Sequence, residues 1–173
     1  MKKIIFCLCL FLLVSFKSPN NNDVSIIVHF EQILNEYRHS NGLSPIKIDH
    51  SMKEFTDLRS KDLLTDFSHK GFNENILSYI SNFTFAGENC AKVAIHANYG
   101  EARLSSNIKE IEEILRKMMM GTLTNHDVAK HCFLIWKHSK YHNELLLNEK
   151  IKRFYLSYQK TENNYYFSFI ALN

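Results

Sequence analysis

The sequence contains few of the residues that interrupt regular structure, with only 2 Pro and 5 Gly among 173 residues. Long flexible linkers and low-complexity tails are usually rich in these residues, so this composition excludes them for most of the chain. Hydrophobic residues make up 45% of the sequence and include 13 Phe. A single folded domain with ample material for a core is therefore expected.

The chain also lacks a large excess of either charge. The formal net charge is +3, but Lys2, Lys3 and Lys17 all lie in the first 18 residues, which contain no acidic residue. The remainder carries 18 basic and 18 acidic residues. Nucleic-acid binding requires a dense basic surface that displaces counterions. The composition therefore argues against nucleic acid as a partner.

No standard catalytic signature is present. The sequence has no G-x-S-x-G, no H-E-x-x-H, no glycine-rich phosphate loop and no C-x-x-C, so motifs give no direct support for hydrolase or nucleotide chemistry. His138 and His142 are four residues apart and could form a two-histidine metal clip on a helix. That is one interpretation among several, and no catalytic residue is assigned from the sequence.

The first 18 residues have the pattern of an export signal. Lys2 and Lys3 precede an almost wholly apolar run from Ile4 to Phe16, which is shorter than the roughly 20 residues of a membrane span. We predict a signal peptide over residues 1–18, a polar linker over 19–25 and a folded domain over 26–173. The mature chain is expected to have no transmembrane span and to be secreted or otherwise extracytoplasmic, in a periplasm or at a cell surface.

Removal of this leader leaves two of the four cysteines, Cys90 and Cys132. An even pair in an oxidising compartment favours a disulfide. Cys132 shares a predicted helical face with Trp136, which directs its thiol inward. The sequence therefore predicts a Cys90–Cys132 disulfide, with two separate buried thiols as the alternative.

Hydrophobic periodicity predicts helices first and strands last. Helices are expected over 26–40, from Ser51 to about Asp66, over about 107–121, and from Thr124 onward. Residues 154–171 alternate as an antiparallel hairpin. The region from Ile76 to Ile95 has no clear period, so only short elements are predicted there, around Gly87. Helices followed by a hairpin indicate an α+β domain.

Four sequence blocks resemble the CAP superfamily, whose SCP domain is shared by cysteine-rich secretory proteins, antigen 5 and pathogenesis-related 1 proteins. Together they cover about residues 26–173 and look most like the short bacterial members. The resemblance implies an α-β-α sandwich, in which helices flank a central antiparallel sheet. The blocks are Leu34–Arg38 with Gly42–Asp49, Phe67–His69, Ala86–Asn89 and Trp136–Leu146.

The resemblance also implies a ligand-binding cleft lined by His69, Glu88 and His142. Ser139 stands where many eukaryotic members have a second cleft glutamate. Two imidazoles and one carboxylate form a donor set that suits Zn²⁺. His69, His142 and Glu88 are therefore the candidate metal ligands, and Zn²⁺ is the candidate cofactor. Two alternatives stay open: the three residues could act as acid and base on a bound substrate, or Glu88 could fix one histidine by a hydrogen bond so that the group only holds the loops together.

Family members include binders of sterols or fatty acids, and some have been proposed as proteases. We expect an exported binding module and not an enzyme, one that takes a small apolar ligand such as a lipid or sterol, or an extracellular protein partner. The alternative is a metal-assisted hydrolase acting on peptide or cell-wall substrates.

Overall fold

The computed structural model describes residues 25–96 and 111–173. The predicted signal peptide and nearly all of the predicted linker lie outside these ranges. The first residues of the third predicted helix, 107–110, also lie outside them.

Helices and strands alternate irregularly along the described chain. A 3₁₀ turn over His50–Met52 leads directly into the second long helix. No helix in the described ranges is long and apolar enough to cross a membrane. In chain order the elements are α1 (Ile26–Ser40), β1 (Lys47–Ile48), α2 (Lys53–Asp62), α3 (Lys70–Tyr79), β2 (Ala86–Ala94), α4 (Glu112–Met120), α5 (Asn125–Lys137), α6 (Lys140–Leu146), β3 (Arg153–Lys160) and β4 (Asn164–Leu172).

The four strands form one sheet in the order β1-β3-β4-β2. The predicted hairpin is confirmed as the antiparallel pair β3–β4, and β2 pairs antiparallel with the other side of β4. The two-residue strand β1 departs from the predicted antiparallel arrangement, since it pairs in parallel with β3. Strand β4 lies inside the sheet and is buried along nearly its whole length. Burial on both faces requires a covering layer on each side.

Helices cover both faces of the sheet, which confirms the predicted α+β sandwich. One face packs against α1, α4 and α5 around a large core that includes Phe30, Trp136 and Phe169. The other face packs against α2 and α3 around a smaller cluster that includes Phe55 and Ile170. The strand alternation in β4 explains this division, because Phe169 and Ile170 point to opposite faces.

Local sequence signals fix several helix ends. Helix α1 has the predicted bounds, and the capping box at the start of α5 joins the Thr124 hydroxyl and the Asp127 carboxylate to each other's backbone N–H. Gly121, with φ of +66°, ends α4 as predicted. Helix α2 is shorter than predicted, because it ends at Asp62.

The predicted disulfide is wrong for this structure, in which Cys90 and Cys132 are both free. Cys132 lies in the large core on α5. The side chain of Cys90 leaves the opposite face of the sheet, where its sulfur lies 3.6 Å from His69 Nδ1. A hydrogen bond from Trp136 Nε1 to the backbone oxygen of Cys90 holds α5, the helix that carries Cys132, against β2. The sheet itself separates the two thiols, as in the alternative of two buried cysteines.

Candidate functional site

Strand β2 carries the centre of the candidate site. Glu88 and Cys90 are two residues apart, so their side chains leave the same face of the sheet. Their neighbours across the ladder on β4 are Ile170 and Ser168. This face is the one that α2 and α3 cover, and the site therefore lies between the sheet and these two helices.

The Glu88 carboxylate is almost fully buried, with 1% of its side chain exposed. Oε1 accepts hydrogen bonds from Arg59 Nε and Ser168 Oγ, both at 3.0 Å. Oε2 accepts from Arg59 Nη2 at 3.3 Å and from His69 Nδ1 at 2.9 Å. A carboxylate has about four acceptor positions. All of these positions on Glu88 are therefore occupied by side chains of the protein.

Arg59 is the main electrostatic partner of Glu88. Its side chain is also 1% exposed, and besides Glu88 it donates to Asp62 Oδ2 and to the backbone oxygen of Ser68, both at 2.9 Å. The guanidinium thus joins α2, the segment before α3, and β2. Because an unpaired charge at such depth would be costly, this ion pair fixes the position of the carboxylate.

The surroundings of Glu88 keep it ionised. Burial alone would raise its pKa, but the hydrogen bonds from His69, Arg59 and Ser168 and the charge of Arg59 leave the pKa of Glu88 below its ordinary value. An acid with a lowered pKa does not hold a proton near neutral pH. Glu88 is therefore poorly suited to act as a general acid.

His69 lies at the border between this buried network and solvent. It is the residue before α3, and 48% of its side chain is exposed. Because the ionised Glu88 carboxylate can only accept hydrogen bonds, His69 Nδ1 must carry the proton that it donates. In the neutral imidazole, Nε2 then has a free lone pair. Metal-binding histidines commonly use this arrangement, with one nitrogen on a carboxylate and the other on the metal.

His142 lies on α6, near enough to His69 for the charge of His69 to affect it, but it is not part of the close donor group found among the described residues, which consists of His69, Glu88 and Cys90. Burial lowers the pKa of His142, and the nearby charge of His69 lowers it further. Its Nδ1 is buried without a hydrogen-bond partner in the described ranges. The side-chain amide of Asn89 donates to the backbone oxygen of His142 at 3.0 Å, which anchors α6 beside β2. Ser139, the fourth predicted cleft residue, precedes α6 and makes no side-chain hydrogen bond to the other three.

Cys90, which was predicted to form a disulfide, is instead a free thiol next to His69 in the candidate site. One ligand atom each from His69, Glu88 and Cys90 lie within 4.8 Å of one another, so this trio could hold a metal ion. Burial and the charge of Glu88 raise the pKa of the Cys90 thiol well above its usual range, so the thiol is protonated in the metal-free protein and would release its proton on binding a metal. Glu88 uses Nδ1 of His69, so Nε2 is the His69 nitrogen that remains available to a metal.

The sequence contains a spacing pattern that places Arg59 on the buried side of α2, although the apolar residues alone do not reveal it. Met52, Phe55, Arg59 and Leu63 are spaced by three, four and four residues, and each is at most 1% exposed. They form the buried stripe of α2. An arginine in such a stripe must find a buried partner, and the partner is Glu88.

A scan against protein-family models matches residues 31–172 to CAP, the cysteine-rich secretory protein family. The chain belongs to the CAP family. The match includes all four predicted cleft residues and all four sequence blocks that carry the resemblance. The comparison with curated proteins found no match.

Two solved structures share this fold. An extracellular protein containing a SCP domain from Bacillus anthracis has 19% sequence identity and a TM-score of 0.53 over 84% of this chain. A cysteine-rich secretory protein from Staphylococcus aureus has 14% identity and a TM-score of 0.55 over 85% of this chain. The CAP chain described here spans 40% and 38% of the length of these two proteins.

Proposed function

We propose that this CAP protein is an exported binding module whose cleft can take a divalent metal through the imidazoles of His69 and His142. The observation that carries the proposal is the saturation of the Glu88 carboxylate by Arg59, Ser168 and His69. A carboxylate used in this way positions His69 and does not itself contact the metal. This role differs from the prediction of Glu88 as a third ligand and agrees with the alternative in which Glu88 fixes one histidine by a hydrogen bond.

The residues present fit Zn²⁺ in two respects. The bond to Glu88 fixes the His69 tautomer and leaves the lone pair of Nε2 available, while His142 brings a buried nitrogen that lacks a partner in the described ranges. When bound, Zn²⁺ would supply a Lewis-acid centre with open positions for a ligand. The protein's own contribution is to hold the His69 imidazole in place through Glu88 and to shield the Nδ1 side of that ring from water.

The export part of the proposal is supported by the leader pattern and by the extracellular or secretory descriptions of the two structural neighbours. The ligand class proposed from the family resemblance, a small apolar molecule or an extracellular protein, would occupy the space beside His69. The exposed ring of Phe67, which packs edge-on against Tyr166 with centroids 6.3 Å apart, gives this region an apolar border.

The hydrolase alternative has less support. Metal-assisted hydrolysis needs a carboxylate or imidazole free to accept a proton from water. Glu88 has no free acceptor position and a lowered pKa, and in the proposed site the metal would occupy the imidazoles of His69 and His142. If the alternative holds, the zinc-loaded protein should turn over peptide or cell-wall substrates, and both chelation and Glu88→Gln should abolish turnover.

Thermal unfolding in the presence of Zn²⁺ tests the binding proposal. At 100 times its Kd, a ligand of the native state stabilises by about 2.7 kcal/mol, which in a domain of this size raises Tm by about 5–10 °C. We expect this rise in the wild type and not in His69→Ala/His142→Ala. The matched control is His39→Ala/His96→Ala, which removes two exposed imidazoles outside the cleft. Equal zinc responses in the two double variants would overturn the metal proposal.

A further inference from the structure

Arg38 is a second fully buried arginine, and its surroundings differ from those of Arg59. Both residues are 1% exposed. Arg59 is paired with the carboxylates of Glu88 and Asp62. Arg38 has no carboxylate partner in the described ranges, and its guanidinium is bonded only to backbone oxygens. Buried charges in proteins are normally paired with an opposite charge, so the described surroundings of Arg38 lack an anion that would neutralise its guanidinium.

The hydrogen bonds of Arg38 leave one nitrogen without a protein partner. Nε donates to the backbone oxygen of Ser44 at 3.0 Å, and Nη1 donates to those of Leu146 and Asn148 at 2.7 and 3.1 Å. No acceptor for Nη2 is found among the described residues. Because burial without an anion disfavours the charged form, the pKa of Arg38 is lowered.

Arg38 lines a surface cavity of about 350 Å³ at the end of α1. Lys152 adds a second positive charge to the wall, and its Nζ is held by the backbone oxygen of Glu149 at 3.0 Å. The remaining wall consists of Gly42, Leu43, Ser44 and Glu149. Two cations against one carboxylate give the cavity a net positive charge.

We propose that this cavity is a binding site for a small oxyanion, a molecule bearing a carboxylate or phosphate group, held by Arg38 and Lys152. A planar guanidinium with a free N–H edge suits the oxygens of either group. The bound anion would supply the counter-charge that Arg38 lacks. The site is separate from the cleft of His69 and Glu88 and does not depend on a metal.

Inorganic phosphate and acetate, added at constant ionic strength to protein that has been treated with EDTA and then dialysed free of it, test this proposal. Removing metal beforehand excludes an effect through the cleft, and EDTA itself is removed because its carboxylates could occupy the cavity. We expect a saturable rise in Tm, together with NMR shifts in the amides of residues 42–44 and 149–152. A larger effect of phosphate assigns a phosphate group as the preferred ligand, and a larger effect of acetate assigns a carboxylate.

Charge variants around the cavity make the test specific. Lys152→Met should weaken the apparent affinity roughly tenfold, as expected for loss of a charged hydrogen-bond donor. Glu149→Gln should strengthen binding because it removes the opposing carboxylate. Lys150→Met is the matched control, a neighbouring lysine outside the wall, and should leave the affinity unchanged. The proposal is overturned if neither anion has a saturable effect, or if Lys152→Met and Lys150→Met behave alike.

Discussion

Replacing Glu88 with glutamine should destabilise the protein far more than a conservative change usually does. The substitution keeps the shape of the side chain but removes its charge. It also places an amide –NH₂ group against a nitrogen of Arg59, because Arg59 donates to both oxygens of Glu88. Two N–H donors would then face each other in the protein interior, because the side chains of Arg59 and residue 88 are each only 1% exposed.

The magnitude follows from the burial of the pair. Breaking a buried ion pair by removing one partner costs about 3–5 kcal/mol, because the other charge stays buried without compensation. In a domain of this size each kcal/mol lowers Tm by about 2–4 °C, so Glu88→Gln should lower Tm by roughly 6–20 °C. Calorimetry and urea unfolding would measure the two quantities independently.

Two further variants make this prediction refutable. Glu74→Gln is the matched control, since Glu74 is 59% exposed and its carboxylate lies 4.0 Å from Lys70; it should stay within about 0.5 kcal/mol of the wild type. In Arg59→Met/Glu88→Gln the loss should be smaller than the sum of the two single losses. A loss below about 1 kcal/mol for Glu88→Gln would show that the buried pair does not organise the site.

The pH dependence of this loss has a definite sign. The folded pKa of Glu88 lies below its ordinary value of 4.5, so its ionised form stabilises the native state fully above that pH. The contribution is lost as the pH falls through the folded pKa. The difference in unfolding free energy between the wild type and Glu88→Gln should therefore be constant near neutral pH and shrink below about pH 4.5.

Two other predictions concern single residues of the scaffold. Burial lowers the pKa of His131 from 6.5 to about 4, so native stability should fall by about 3 kcal/mol between pH 6.5 and pH 4 as the unfolded chain takes up the proton. Urea unfolding across this range should show a shallower pH dependence for His131→Phe, and an unchanged slope would contradict the assignment. Gly71→Ala should destabilise by about 1–3 kcal/mol, because its Cβ would overlap Arg59 Nη1 and lie 2.9 Å from Asp62 Oδ2. Most of that cost should disappear in an Arg59→Met background, and equal costs in both backgrounds would refute the mechanism.

The parts of the fold that the sequence predicted best are those with local signals. Helix α1 has a clear apolar stripe, α5 has a capping box, and β3 and β4 alternate with a turn between them. The sequence analysis predicted only short elements where the nine-residue strand β2 lies. The reason is that the segment from Ala86 to Ala94 has few residues that favour strands. Its pairing with β4, a distant segment of the chain, determines its conformation.

The candidate site likewise combines residues that the sequence identifies with contacts that only the folded structure reveals. His69, Glu88 and His142 were identified through the family resemblance, and the structure shows the hydrogen bond that joins the first two. Arg59 was missed because periodicity analysis counts apolar residues and overlooks a charged one on the buried stripe. The disulfide prediction failed because cysteine count carries no information about which face of the sheet each thiol leaves.

The sheet order has a consequence for how the protein is made. In the described sheet β2 pairs with β4 alone, and Glu88 lies opposite Ile170. A chain emerging from the ribosome has no partner strand for β2 until residues 164–172 have been synthesised, so the pocket around Glu88 cannot assemble early. Such long-range pairing slows folding. Under the proposed export, this delay would keep the chain unfolded while it passes through a translocation channel.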